Sequence, residues 1–208
     1  MILIGQYDSP FVRRVGIALR LYGLPFEHRP WSVFGDADDV RALNPVTKVP
    51  VLVLDDGDVI IDSHMMLDYL DGLMPPGERL FPTTEPDRHR ALKLAALGMG
   101  LAEKGVSLFY EKRLHDQISP VWAGRCTAQI LSTAAALDAA CAAGIQRFRS
   151  GMTPGHAEIA VAVGLRFVTD AHPDLLDARD HPALFGLWRR LEDMPVFREI
   201  SQAFVAPA

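Results

Sequence analysis

Ser9 stands where a short apolar run gives way to a helix, a placement that suits a hydroxyl to the handling of an anion. Ile2–Ile4 reads as a buried strand, and Asp8-Ser9-Pro10 as a helix start, with Ser at the cap and Pro at the first helical position. A helix N-terminus carries unbonded N–H groups and a partial positive charge. A serine there can simply cap the helix, or its hydroxyl can donate a hydrogen bond to a bound thiolate without itself ionising. A free thiol, with a pKa near about 8.5, is only about 3% thiolate at neutral pH. Lowering that pKa to about 7 takes ~2 kcal/mol. One charge-assisted hydrogen bond and a helix terminus can supply it.

Two later stretches carry residues of the same kind. In Asn44-Pro45-Val46-Thr47-Lys48-Val49-Pro50-Val51-Leu52 a proline directly precedes an apolar strand, where its missing N–H is tolerated. In Ile60-Ile61-Asp62-Ser63-His64-Met65-Met66-Leu67 either Asp62 or Ser63 can cap the helix that follows. Taken singly, these are a strand start and a helix cap, and Lys48 is a solvated charge.

Together, however, Asp8-Ser9-Pro10-Phe11-Val12-Arg13-Arg14-Val15, the Asn44–Leu52 stretch and Asp62-Ser63 resemble the glutathione-binding half of the cytosolic glutathione transferases, serine-type and bacterial-like. The resemblance implies that Ser9 hydrogen-bonds the glutathione sulfur, with Phe11 beside it. It implies that Pro50 is cis, that Val49 pairs with the cysteinyl main chain and that Lys48 faces the glycyl carboxylate. Ser63 then holds the γ-glutamyl carboxylate and Asp62 its ammonium, where most relatives carry Glu or Gln. Tyr7 is a rival for Ser9, because other branches use tyrosine; counting back from Ala18-Leu19-Arg20 puts that tyrosine's place on residue 9 as well, leaving Tyr7 packed at the strand end. An electrophile pocket is expected between two domains, from Phe11, Trp31, Phe34, Phe109, Tyr110 and Trp122, though for any one of them core packing is the better explanation. A homodimer is implied too.

The elements that must position these residues change character along the chain. After the helix with its apolar positions at Phe11, Val15, Ala18, Leu19 and Tyr22, residues 26–31 read as a second strand and 36–43 as a helix. Val51–Leu54, an Asp-Gly turn and Val59–Ile61 form a hairpin, and 63–74 is helical. The order β-α-β-α-β-β-α makes a mixed sheet with helices on its faces. Proline-rich residues 75–86 read as a linker. Beyond it, 87–114, 120–143, 156–171, 181–192 and 196–204 read as helices, with Ala-rich faces that allow close packing. The fold class is therefore α/β plus all-α, with a thioredoxin-like N-terminal domain (1–74) and a C-terminal helical bundle (87–208). In Met152-Thr153-Pro154-Gly155-His156-Ala157-Glu158 the family's capping box before an Ile-Ala helix is altered: the cap is Gly155 if Glu158 is the acid, or Thr153 if His156 takes the third position.

Composition narrows the function classes. Hydrophobic residues make up 49% of the 208 and charged ones 23%, the net charge is −5, and a basic face for nucleic acid is not expected. No run reaches the roughly 18–20 apolar residues of a membrane span, and Met1–Ile4 is too short for a signal-peptide core. A cytoplasmic protein is the expectation. Cys126 and Cys141 fall on one helix about 22 Å apart, too far for a disulfide. The histidines show no metal-binding spacing. Three readings stand: a transferase activating glutathione for attack on a small hydrophobic electrophile, a non-catalytic binding or regulatory protein on the same fold, and a cysteine-type oxidoreductase or lyase, which Ser at position 9 disfavours.

Overall fold

The computed structural model describes residues 1–144 and 153–206. Its chain forms two compact units, one of Met1–Leu80 joined by residues from Pro195 onward, the other of Phe81–Met194.

The first unit is built on β1 (Ile2–Ile4), β2 (Glu27–Arg29), β3 (Val51–Val53) and β4 (Val59–Ile61), in the order β2-β1-β3-β4. β1 runs parallel to β2, with Leu3 opposite His28, and antiparallel to β3, with Leu3 opposite Leu52; β3 and β4 form the hairpin. Leu3 and Ile4 are neighbours that point to opposite faces, and both are fully buried, so the central strand is covered on both sides. The covering helices are α1 (Pro10–Leu21), α2 (Ala37–Leu43) and α3 (Ser63–Leu73), of which α1 and α3 pack together. Val15, Ala18 and Leu19 on α1 and Met66 and Leu70 on α3 are completely buried. Asp71, itself buried, accepts from the Tyr22 hydroxyl and from the Leu80 N–H at 3.2 Å. The expected linker thus begins inside the first unit: Leu80 is buried and tied to both α1 and α3.

The end of the chain departs from the sequence expectation. A helix was expected over 196–204 within the bundle, but α8 covers only Pro195–Glu199 and packs on α1. The reason is Arg13, buried on α1, whose guanidinium donates to the carbonyls of Phe197 and Ile200, both at 2.8 Å. Those carbonyls are the acceptors a continuing helix would have used. Phe197 and Ile200 are buried in the process, and Gln202 accepts from the Tyr7 N–H.

The second unit contains α4 (Asp87–Leu114), α5 (Pro120–Ala142), α6 (His156–Ala171) and α7 (Pro182–Glu192). α6 is apolar nearly all round and buried from His156 to Leu165, which marks it as the centre of the bundle. It crosses α4 at a contact between glycines. A Cβ placed on Gly164 would lie 2.3 Å from the Gly98 carbonyl oxygen, and one on Gly98 would lie 2.6 Å from the Val161 nitrogen. Alanine faces were expected to bring helices close; at this crossing only glycine is small enough. At the start of α6 the cap is Gly155, and the Glu158 carboxylate accepts from its N–H at 2.9 Å. Half of the capping box survives, because glycine has no side chain to return the bond. Met152, at the head of that stretch, lies outside the described residues. Cys126 and Cys141 are free and buried in α5.

His172, at the end of α6, is buried and held through Nε2 to the Gly105 carbonyl at 2.9 Å, which requires that nitrogen to carry the hydrogen. Burial lowers its pKa below 6.5, outweighing the carbonyl, which acts the other way, and Lys112 lowers it further. Above the unfolded-state value neither state binds the proton. As the pH falls through 6.5 the unfolded chain protonates first, so stability is lost on acidification. Urea midpoints measured between about pH 7.5 and 5.5 should fall, and His172→Gln should flatten that slope; an equal slope in the variant would assign the loss to other groups.

Candidate glutathione site

The β1–α1 turn places Ser9. Its N–H donates to the Gln6 carbonyl at 3.2 Å, and its own carbonyl accepts the first helical bond from Arg13 at 2.9 Å. Ser9 has the extended backbone of a cap residue (φ −70°, ψ 121°) and Pro10 follows at the first helical position, yet the hydroxyl makes no capping bond. The backbone caps and the side chain does not. Ser9 is partly exposed, with its hydroxyl uncommitted to the helix it begins.

Tyr7 is employed elsewhere. Its ring stacks on His28, centroids 3.8 Å apart and planes within 8°. Its hydroxyl pKa is pushed up to about 12, mainly by burial and also by Glu199, with Arg20 opposing. A phenol so hard to ionise and so packed fits the strand-end role. Beside Ser9, burial likewise raises the Asp8 carboxyl, against N–H groups that include those of Ser9 and Val205.

Gly5 joins the Ser9 turn to the second stretch. It adopts φ +127°, and an added Cβ would sit 2.4 Å from Val12 Cγ2 and 2.9 Å from Val49 Cβ. Only a residue with no side chain lets the turn before Ser9 lie against Val49 in this way. Val49–Pro50 is a cis peptide bond. Val49 stands outside the β3 ladder, and its N–H and C=O find no main-chain partner among the described residues. The loop leading to it is held by buried Asn44, whose amide donates to the Lys48 carbonyl at 2.8 Å and whose Oδ1 accepts from the Val46 N–H at 3.0 Å. The Lys48 side chain is exposed.

Asp62 caps α3 from a left-handed backbone (φ +66°), its carboxylate accepting from the His64 N–H at 2.7 Å. Ser63, first residue of α3, is 3% exposed, and its Oγ accepts from Arg14 Nη2 at 2.6 Å. Arg14 is 1% exposed, with its Nε unpartnered among the described residues. Burial lowers its pKa to about 10, partly offset by Asp62, which leaves it charged at neutral pH. His64 is kept below 6.5 by burial and by that same arginine, with Asp62 opposing.

Each of the three stretches is therefore tied to the β1–α1 unit: Ser9 lies in it, Val49 meets it at Gly5, and Ser63 meets it at Arg14. The aromatic residues expected around an electrophile divide between the units, with Phe11, Trp31 and Phe34 in the first and Phe109, Tyr110 and Trp122 in the second. Trp31 lies under the Arg29 guanidinium at 5.9 Å, and Phe109 meets Phe167 edge-on at 6.4 Å. Phe34, Tyr110 and Trp122 are exposed.

Residues 3–78 match the family model described as glutathione S-transferase, N-terminal domain. A glutathione transferase family member from Pseudomonas fluorescens Pf-5, crystallised with bound glutathione, is 30% identical over 96% of this chain and 97% of that one, with a TM-score of 0.84. The chain belongs to the glutathione transferase family. A glutathione S-transferase from Methylobacterium radiotolerans, in complex with glutathione sulfonate, superposes with a TM-score of 0.86 at 28% identity, over 100% of this chain and 98% of that one. Among curated relatives, the uncharacterized GST-like protein YibF of Escherichia coli K12 is 34% identical over 51% of this chain and 52% of its own length. Glutathione S-transferase U4 of Arabidopsis thaliana is 32% identical over 57% and 46%. The chain spans about half the length of these curated relatives.

Two contributors to this candidate site were not singled out from sequence. Gly5 had no flanking turn signature. Arg14 had a signal: it falls between Phe11 and Ala18 on the stripe of α1 expected to be apolar. A charge on a buried stripe requires a partner.

Proposed function

We propose that this member of the family is a serine-type glutathione transferase that activates the thiol of bound glutathione for attack on a small hydrophobic electrophile. The observation that carries the reading is the Ser9 hydroxyl, placed at the N-terminus of α1 but not capping it, on a turn packed through Gly5 against Val49. In this reading Val49 pairs with the cysteinyl main chain, and Phe11, Lys48 and Pro50 complete that side. Ser63 and Asp62 take the γ-glutamyl end. The P. fluorescens relative with its bound glutathione supports the choice of ligand.

In the reaction, the thiol proton leaves to solvent and the thiolate remains beside the Ser9 O–H and the helix terminus. The sulfur forms a bond to the electrophilic carbon, and the leaving group departs with the bonding electron pair. The protein contributes a lowered thiol pKa and proximity. Phe11, Trp31 and Phe34 of the first unit are proposed to bind the electrophile.

One observation favours a second reading, a non-catalytic glutathione-binding or regulatory protein. Asp62, shorter by one methylene than the usual Glu or Gln, spends its carboxylate on the His64 N–H. Retention on immobilised glutathione with turnover of 1-chloro-2,4-dinitrobenzene is the expected result. Retention without turnover would favour the second reading, and no binding at millimolar glutathione would contradict both.

The proposed partner is a second copy of the chain. Met65, Tyr69 and Leu73 form an exposed apolar stripe on α3 at four-residue spacing, and light scattering should give twice 22.9 kDa. Among the described residues no helix is long and apolar enough to cross a membrane, and no cluster of side chains could hold a metal. A cytoplasmic location is proposed on the two free, buried thiols.

A further inference from the structure

Gly5 is held in its conformation from outside. Glycine has no strong backbone preference of its own, so a turn that depends on φ +127° at this residue needs something to fix it. Gly5 is buried, and β2 takes both of its main-chain groups. Its N–H donates to the Arg29 carbonyl at 2.9 Å, one step beyond the Ile4–Arg29 pair of the β1–β2 ladder. Its carbonyl lies 2.8 Å from Nε2 of His28. A carbonyl can only accept, so His28 Nε2 carries the hydrogen and donates it. Without that donor a buried carbonyl would lose its hydration and gain nothing in return.

The imidazole is itself kept in place. The Tyr7 ring lies flat on it, centroids 3.8 Å apart and planes within 8°. Tyr7 in turn backs onto α1, where its Cε1 would be 3.0 Å from a Cβ placed on Gly16, and its N–H donates to Gln202 at 3.2 Å. A chain of contacts therefore runs from Tyr7 through His28 to Gly5, and on to Val49, whose Cβ would be 2.9 Å from a Cβ placed on Gly5. Val49 is the residue whose main chain stands outside the β3 ladder. Ser9 is fixed by other bonds, to the Gln6 carbonyl and from the Arg13 N–H. The two sides of the site can thus be disturbed separately.

We infer that His28, pressed into place by Tyr7, is a positioning residue for recognition of the peptide main chain, acting through the Gly5 carbonyl on Val49. This rests on the proposed reading that a cysteinyl main chain pairs with Val49. His28 does not touch the ligand. It fixes the Gly5 peptide, and the Gly5 peptide fixes the place from which Val49 offers its N–H and C=O. Its effect falls on affinity for the tripeptide and not on ionisation of the thiol. Tyr7, displaced as a partner for the sulfur, acquires a task at the other side of the same site.

The test separates the hydrogen bond from the stack. His28→Phe keeps a flat ring under Tyr7 and removes the donor, whereas His28→Gln keeps an N–H donor of similar reach and removes the ring. Calorimetry well below the unfolding midpoint gives the affinity of each for glutathione and for S-methylglutathione, which has no thiol to ionise. His28→Phe should weaken both ligands by the same factor, about tenfold, the scale of one buried hydrogen bond left unmade. His28→Gln should recover at least half of that loss on a logarithmic scale. The pKa of the bound glutathione thiol, read from thiolate absorbance, should stay as in wild type. A purely structural role would lower the melting temperature of His28→Phe and leave its affinities unmoved, and that result would overturn the inference. So would a glutamine variant as weak as phenylalanine, or a thiol pKa that rises in step with the lost affinity. Should His28→Phe fail to fold, nitrogen NMR of the wild-type imidazole decides: the Nε2–H form, its signal shifting when S-methylglutathione is added, supports the inference, and an Nδ1–H form or an unmoved signal overturns it. Wild type binding both ligands with His28→Phe unchanged refutes the role of His28 alone; wild type binding neither refutes the glutathione reading and this inference with it.

Discussion

Ser9→Ala is expected to raise the pKa of the bound glutathione thiol by about one unit or more and to leave the fold intact. The hydroxyl is the only part removed, and it makes no bond to α1. The usual loss of about 1 kcal/mol for deleting a serine cap therefore does not apply in full. The cap itself is made by the Ser9 carbonyl and Pro10, of which alanine keeps the first and leaves the second. The effect should appear in the thiolate. A bound thiol of pKa about 7 is half ionised at neutral pH, and one of pKa about 8 is only about a tenth ionised. Titration of thiolate absorbance in the protein–glutathione complex measures this directly, with thermal unfolding as the control. An unchanged titration would show that another group stabilises the sulfur. Tyr7 is the obvious rival and a poor one, with its ring stacked on His28 and its hydroxyl pKa near about 12.

The second large effect concerns the bundle. Gly164→Ala should destabilise the protein by about 3 kcal/mol, the upper end of the usual cost of overpacking. The atom in the way is a backbone oxygen, that of Gly98, 2.3 Å from the new Cβ. A flexible side chain could swing aside; a helix main chain moves only with its neighbours. α4 and α6 would have to separate along their most extensively packed crossing. For a chain of this length the unfolding midpoint should drop by roughly 6–12 °C. Gly100→Ala, on α4 with open space at its Cβ, is the matched control and should be neutral or slightly stabilising. Equal melting of the two variants would show that the crossing is looser than described.

Much of this was legible in the residues. Asp-Gly between two β-branched runs specified the β3–β4 hairpin, because the tight turn and the strand periodicity agree. Pro10 and Pro120 marked helix starts to the residue, since a proline ring fits the first helical position and little beyond it. The three stretches of the candidate site were visible as motifs because each is local.

What was not legible is what depends on distant partners. Residues 196–204 have helical composition, but two of their carbonyls are claimed by Arg13, far away in sequence, and the helix stops at Glu199. Leu80 looks like linker until the Tyr22–Asp71 pair takes its N–H. Gly98 and Gly164 read as weak points of two helices, and their use appears only once those helices cross. Arg14 was written into the motif as a letter, and its burial against Ser63 gives it a task.

The central claim is that glutathione lies along Ser9, Val49 and Ser63. A crystal structure with glutathione soaked in tests it most directly. The expected result is the sulfur within hydrogen-bond distance of Ser9 Oγ, the cysteinyl main chain paired with that of Val49, and the γ-glutamyl carboxylate at the Ser63 hydroxyl and the α3 N-terminus. A tripeptide bound elsewhere, or one whose sulfur turns away from Ser9 toward another donor, would contradict it.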